Sequence, residues 1–308
     1  MSSQISRLKE PKAWALFISG SCLTLLTPFL GAPFLRILQN VYGSVAYWLL
    51  GLVATATVAA SMPGTMAILA ASVWICVGVF GEFEKKGYGR FWPGMLGVAL
   101  ATLLSWVVPG LLKNQFGIDV GPGVEESLQA LVKQIENNPE QKAWMETMGF
   151  QTEALLGQVP SMLALVYLMC LAFALMLAQR IAAVFRVPYE RIAGTGRLLE
   201  FRIPDWISIL LILSFLFSFL KVDVPGLNTV ALNLLQFLIG LYFFQGLAVL
   251  ETTFILLRVD PILKLIVYIF VVAQLFFLLS LVGLADFWLD FRKRLRNWVL
   301  KKSKENEP

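Results

Sequence analysis

Long apolar stretches alternate with short polar ones along the whole chain. The apolar runs lie at roughly 14–30, 42–61, 65–80, 91–112, 160–178, 206–220, 229–250 and 262–284. A bilayer's hydrocarbon core, about 30 Å thick, takes about 20 helical residues to cross. Most of the runs approach that length. Leu, Ala, Phe and Val dominate them, with no period-two alternation, which predicts helices and argues against an outer-membrane barrel. The expected fold is all-α, a polytopic helical membrane protein with about 8 apolar membrane segments. It is expected to form a single integral membrane domain over residues 1–308.

The ends of the runs refine this picture. Trp14, Trp48, Trp92, Trp106, Trp206 and Trp288 lie near them, where an interfacial aromatic belt would sit. Thr27 to Asn40 reads TPFLGAPFLRILQN. Its Pro28, Gly31 and Pro33 predict a broken helix, a re-entrant turn or a short extra crossing. Met62-Pro63-Gly64 predicts a tight turn, and Gly78 and Gly81 a small-residue face for close packing.

Lysine and arginine in short loops set orientation. Loop 81–90 holds Lys85, Lys86 and Arg90; loop 179–205 holds Arg180, Arg186, Arg191, Arg197 and Arg202. Both are expected in the cytoplasm. Arg7, Lys9 and Lys12 ask the same of the N-terminus, and Arg292, Lys293, Arg294, Arg296, Lys301, Lys302 and Lys304 of the C-terminus. The apolar runs give the wrong parity for both tails, so some run must break or stop short.

Residues 113–159 are expected as an amphipathic, extracytoplasmic insertion. Val124, Leu128, Leu131, Val132 and Ile135 recur at helical spacing up to Asn137-Asn138-Pro139. Such helices lie on the membrane surface, cap a cavity or dock a partner. Residues 285–308 are expected as a basic amphipathic tail. It reads as an anchor on anionic lipids, with a docking helix for a cytoplasmic protein as the rival.

Composition sharpens the class. The 308 residues are 58% hydrophobic, against about 45–50% apolar usage in soluble domains. The mean hydropathy is +0.73. Histidine is absent, which removes histidine acid–base catalysis, Ser-His and Cys-His nucleophile pairs and histidine metal ligands. Cys22, Cys76 and Cys170 are scattered through apolar runs and read as buried packing residues. No metal site, cofactor or enzymatic activity is expected. The net charge of +5 follows from loops and tails and carries no nucleic-acid signal. Gly194-Thr195-Gly196-Arg197 lacks the phosphate-loop signature and reads as a turn. Glu82 and Glu84 read as solvated at a membrane edge. Asp286 and Asp290, one turn apart, read as ion-paired with Arg292, Lys293 or Arg294.

Candidate chemistry concentrates in Asn228 to Glu251, NTVALNLLQFLIGLYFFQGLAVLE. At 100° per residue, Asn233, Gln236, Gly240, Phe244 and Glu251 share a face, while Tyr242 and Gln245 fall away from it. Amides within a span should face protein or a cavity rather than lipid. Two readings stand. Either Asn233, Gln236, Tyr242, Gln245 and Glu251 line a ligand site within the membrane, or the amides hold neighbouring helices together.

Tyr242-Phe243-Phe244-Gln245-Gly246-Leu247-Ala248-Val249, preceded by Asn233, resembles the signature of the YybS-like bacterial membrane proteins, a domain of unknown function. Gly283 to Arg294, GLADFWLDFRKR, resembles that family's C-terminal pattern. Phe201 to Trp206, FRIPDW, resembles its entry to the preceding span. The family is similar in layout to the S-components of energy-coupling-factor transporters and to MreD. The resemblance implies a multi-pass protein of the bacterial cytoplasmic membrane. Its expected role is a transporter-like, S-component-like binding subunit for an unknown small molecule. The alternative is a non-enzymatic scaffold in envelope assembly. Expected partners are the bilayer and a membrane or cytoplasmic protein.

Overall fold

A computed structural model describes residues 11–118, 157–189, 201–220, 226–257 and 259–295, with scattered positions between 120 and 137 and at 224, 297 and 298. Most of the 113–159 insertion and the end of the tail therefore lie outside the described residues. The chain divides into two compact units, Met1–Thr195 and Gly196–Pro308. The described residues of both form helices.

The first unit contains α1 (Pro11–Leu26), α2 (Pro28–Tyr42), α3 (Ser44–Ser61), α4 (Gly64–Lys85), α5 (Phe91–Phe116) and α6 (Val159–Val184). Thr27 adopts extended backbone just before Pro28, because proline disfavours the helical region for the residue preceding it. The chain folds back there. Gly20 of α1 meets Phe34 and Leu35 of α2, and Gly31 of α2 meets Thr24 of α1. Hence α1 and α2 form an antiparallel hairpin. The turn predicted at Met62-Pro63-Gly64 separates α3 from α4. Gly78 receives Trp48 and Tyr47, and Gly81 receives Gln39, so the α4 glycines form the close-packing face expected of them. More deeply buried than the other long helices of the unit, α4 is its central helix.

The hairpin resolves the parity of the N-terminus. Lys12 Nζ donates to the Arg186 carbonyl at 3.2 Å. Lys85 Nζ donates to the Gln39 carbonyl at 3.0 Å and to Ser44 Oγ at 3.3 Å. The start of α1, the α2–α3 corner, the end of α4 and the end of α6 thus share one end of the unit. That end collects Lys12, Lys85, Lys86, Arg90 and Arg186.

The second unit contains α7 (Trp206–Phe219), α8 (Leu227–Leu256), α9 (Pro261–Gln274) and α10 (Phe276–Leu289). The run at 262–284 is broken at Gln274–Leu275, and nothing in the sequence explains that break. The extra helix corrects the parity of the C-terminus as the hairpin corrects that of the N-terminus. Arg292 Nη1 donates to the Phe201 carbonyl at 2.9 Å, and Arg202 pairs with Asp290 at 3.0 Å. The start of the basic tail therefore lies against the entry to α7.

The expectation of about 8 membrane segments is corrected. Among the described residues, five helices are long and apolar enough to cross a membrane: α3, α4, α5, α6 and α8. The other runs yield short helices. Proline cuts the first, the run at 206–220 gives only 14 helical residues, and the last is split in two. At 1.5 Å per residue, a 14-residue helix spans about 21 Å, short of the hydrocarbon core. All six tryptophans of the expected belt are exposed. So is Cys22, against expectation, while Cys76 and Cys170 are buried.

Candidate functional site

The predicted residues on α8 do not converge. Asn233 and Gln245 are twelve positions apart, about 18 Å along the helix. Asn233 Nδ2 turns back to its own helix and donates to the Thr229 carbonyl at 2.8 Å. Gln236 is half-buried. Glu251, also half-buried, bonds through its two carboxylate oxygens to Lys264 Nζ and Tyr268 Oη of α9. Tyr242 and Gln245 occupy the fully buried face of α8 with Leu238, Leu241 and Val249.

Gln245 lies in a packed seam. Its Oε1 accepts the Ile203 N–H at 3.0 Å, and its Nε2 donates to the Gly283 carbonyl at 2.9 Å. Asp286 Oδ2 is 3.5 Å from the same nitrogen. Arg292 holds Asp286 with Nε at 3.0 Å and Nη2 at 2.8 Å. Tyr242 shares a hydrogen bond with Ser208 of α7 at 2.8 Å. Gly246 and Gly283 let α8 and α10 cross at backbone contact. A Cβ on Gly283 would overlap the Tyr242 carbonyl, and one on Gly246 the Leu279 carbonyl. Three separate stretches, 201–206, 242–249 and 283–292, thus close into one clasp. The carboxylate pairing is partly as expected. Asp286 takes Arg292, whereas Asp290 takes Arg202, which is distant in sequence.

Those three stretches are the ones that carry the family resemblance, and the family described as "Predicted membrane protein (DUF2232)" matches residues 15–287. The chain belongs to this family of predicted membrane proteins. The family has no assigned function, so membership establishes a membrane protein and leaves its activity open. No curated protein and no solved structure matches the chain.

A second polar centre lies in the first unit, where the sequence predicts a solvated Glu84. Glu84 is not solvated; it is 1% exposed. Its Oε2 pairs with Arg36 Nη2 of α2, and its Oε1 lies 3.3 Å from Arg90 Nε. Arg36 is 5% exposed, with its guanidinium 5.0 Å from the Phe80 ring. Gln39, one turn along α2, donates Nε2 to the Gly78 carbonyl at 2.8 Å and to Glu82 Oε1 at 3.0 Å. Its amide reaches α4 because Gly81 has no Cβ to block it. Lys85 completes the group through the Gln39 carbonyl. The sequence held one signal for this centre: Arg36 and Gln39 are polar positions one turn apart within an otherwise apolar stretch.

A third cluster is neutral. Ser105 Oγ of α5 donates to Ser72 Oγ of α4 at 2.7 Å and also contacts Tyr167 Oη of α6. These hydroxyls link three helices. They offer no charge with which to hold an ionic group.

Proposed function

We propose that this membrane protein is a non-enzymatic, transporter-like subunit that binds a small molecule at the bacterial cytoplasmic membrane. The Arg36–Glu84–Arg90 centre carries the reading. Ionisable side chains buried among apolar membrane helices are costly to keep there, and they concentrate in ligand and ion sites. Arg36 sits within an apolar helix and is closed over on all sides. The basic end of the first unit then faces the cytoplasm, as the positive-inside rule asks. The test is a thermal-shift screen of the purified full chain against vitamins, nucleosides, amino acids and organic acids. Saturable stabilisation by one class supports the reading. No response from any class, with Arg36→Gln still folded and functional in cells, counts against it.

A second reading is a membrane scaffold, and the Gln245–Asp286–Arg292 clasp favours it. The amide best placed to face a ligand is committed to holding helices together. This reading expects a stable protein partner, on the basic tail or on residues 113–159. Crosslinking in native membranes followed by pulldown decides it, and recovery of no partner above background removes it.

A further inference from the structure

We propose that the Arg36–Glu84–Arg90 centre binds a small oxyanion, a carboxylate or a phosphate, which replaces the Glu84 carboxylate on Arg36. The proposal rests on the small-molecule reading above and assigns its ligand class.

Charge is the first argument. Arg36, Lys85 and Arg90 bring three positive charges, and Glu82 and Glu84 bring two negative ones, which leaves +1. Two guanidinium groups share the single carboxylate of Glu84. The other carboxylate, Glu82, receives the Gln39 amide. A cation would be repelled here, and a neutral ligand would leave the excess charge unanswered.

Unused donor capacity is the second argument. Arginine presents its N–H groups as a fork that fits both oxygens of a carboxylate or phosphate. Glu84 meets that fork through one oxygen and one nitrogen, and Arg36 Nε is buried with no hydrogen-bond partner. A buried donor of a charged group left unmet is costly. An oxyanion lying across Nε and Nη2 supplies the missing acceptor. Glu84, displaced from Arg36, keeps Arg90.

Position is the third argument. The centre lies just inside the basic end of the unit, where α4 stops at Lys85. The residues that follow, 85–89, are exposed, and Arg90 is part-exposed, with 22% of its side chain accessible. An anion approaching from that end meets Lys86 and Arg90 first and Arg36 last. The source is either a free solute or the phosphate of an anionic lipid at the same membrane face.

The experiment uses the full chain in a neutral sugar detergent, with potassium succinate, potassium phosphate and potassium chloride at matched ionic strength. Phosphatidylglycerol in mixed micelles forms a further arm. Succinate or phosphate should raise the unfolding temperature saturably, and chloride should not. A response to phosphatidylglycerol alone places the oxyanion on a lipid and still supports the site. Glu84→Gln removes the internal competitor, so its half-saturating probe concentration should fall at least about tenfold, since close charge pairs couple by 1.5 kcal/mol or more. Arg36→Gln should abolish the response. If that variant does not fold, Arg90→Gln, at the part-exposed position, should weaken it. The inference is overturned if no oxyanion outperforms chloride on either wild type or Glu84→Gln. If a neutral nucleoside or vitamin then stabilises the chain, the binding reading survives without this ligand class. If no compound acts and a crosslinked partner is recovered, the binding reading itself has failed.

Discussion

Replacing Gln245 by leucine separates the two roles considered for α8. Leucine nearly preserves the side-chain volume, so packing around Leu241 and Val249 is kept. Three interactions are lost, the weakest being the 3.5 Å contact with Asp286 Oδ2. The buried Ile203 N–H loses the acceptor it has at 3.0 Å, and the Gly283 carbonyl loses a donor at 2.9 Å. An orphaned buried N–H costs about 1–3 kcal/mol. The carbonyl, within a helix, loses only an average interhelical bond, about 0.6 kcal/mol. Together Gln245→Leu should destabilise the second unit by about 2–4 kcal/mol. Asn233→Leu is the control. Its amide donates to the Thr229 carbonyl of its own helix at 2.8 Å, an exposed bond, so its cost should be smaller than that at Gln245. Thermal and denaturant unfolding in mild detergent, followed by tryptophan fluorescence, measures both. Equal stability of Gln245→Leu and wild type would refute the clasp. So would a larger loss at Asn233 than at Gln245.

Further expectations follow from the same geometry. Gly283→Ala drives a methyl group into the Tyr242 carbonyl, so it should cost about 1–3 kcal/mol by overpacking and lower the unfolding temperature more than Gly110→Ala, which meets only open space. Arg292→Ala strands the buried Asp286 carboxylate and should cost about 3–5 kcal/mol; Arg292→Lys, which keeps the charge but not the fork, should fall between the two in the same unfolding assay. Tyr167→Phe removes one hydroxyl from a cluster in which Ser105 still reaches Ser72 at 2.7 Å, so its cost should be about 1 kcal/mol. Single cysteines at positions 12, 86 and 186 should all react with an impermeant maleimide from the same side of a sealed vesicle, and labelling of position 12 from the opposite side would refute the α1–α2 hairpin.

Helix content and the cores of the five long spans were legible because apolar length is a local property. The turn at Pro63 was legible for the same reason, since proline and glycine act on the residues beside them. Parity was not. It depended on whether two runs would break, and only one break, at Pro28, has a residue that announces it. Gln245 and Asn233 look alike in sequence, as amides in an apolar helix. What separates them is whether a buried N–H from another segment arrives opposite, and Ile203 reaches Gln245 across 42 positions. The neighbours Lys85 and Lys86 suggest a solvated Glu84, whereas its burial is decided by Arg36, 48 residues away.

The hairpin at Thr27–Pro28 bears on how the chain enters the bilayer. Its legs have 16 and 15 residues, about 24 and 22 Å of helix, so neither alone reaches across the hydrocarbon. Each lacks the length to halt in the insertion machinery by itself, and the two must partition into lipid as a pair. An inserted pair returns the chain to the side it started from. Deleting residues 11–42, or either leg alone, would therefore leave the threading direction of α3 through α6 unchanged. The first forty residues are thus neutral in topology, and they carry Arg36 into the membrane without altering the threading of the helices that follow.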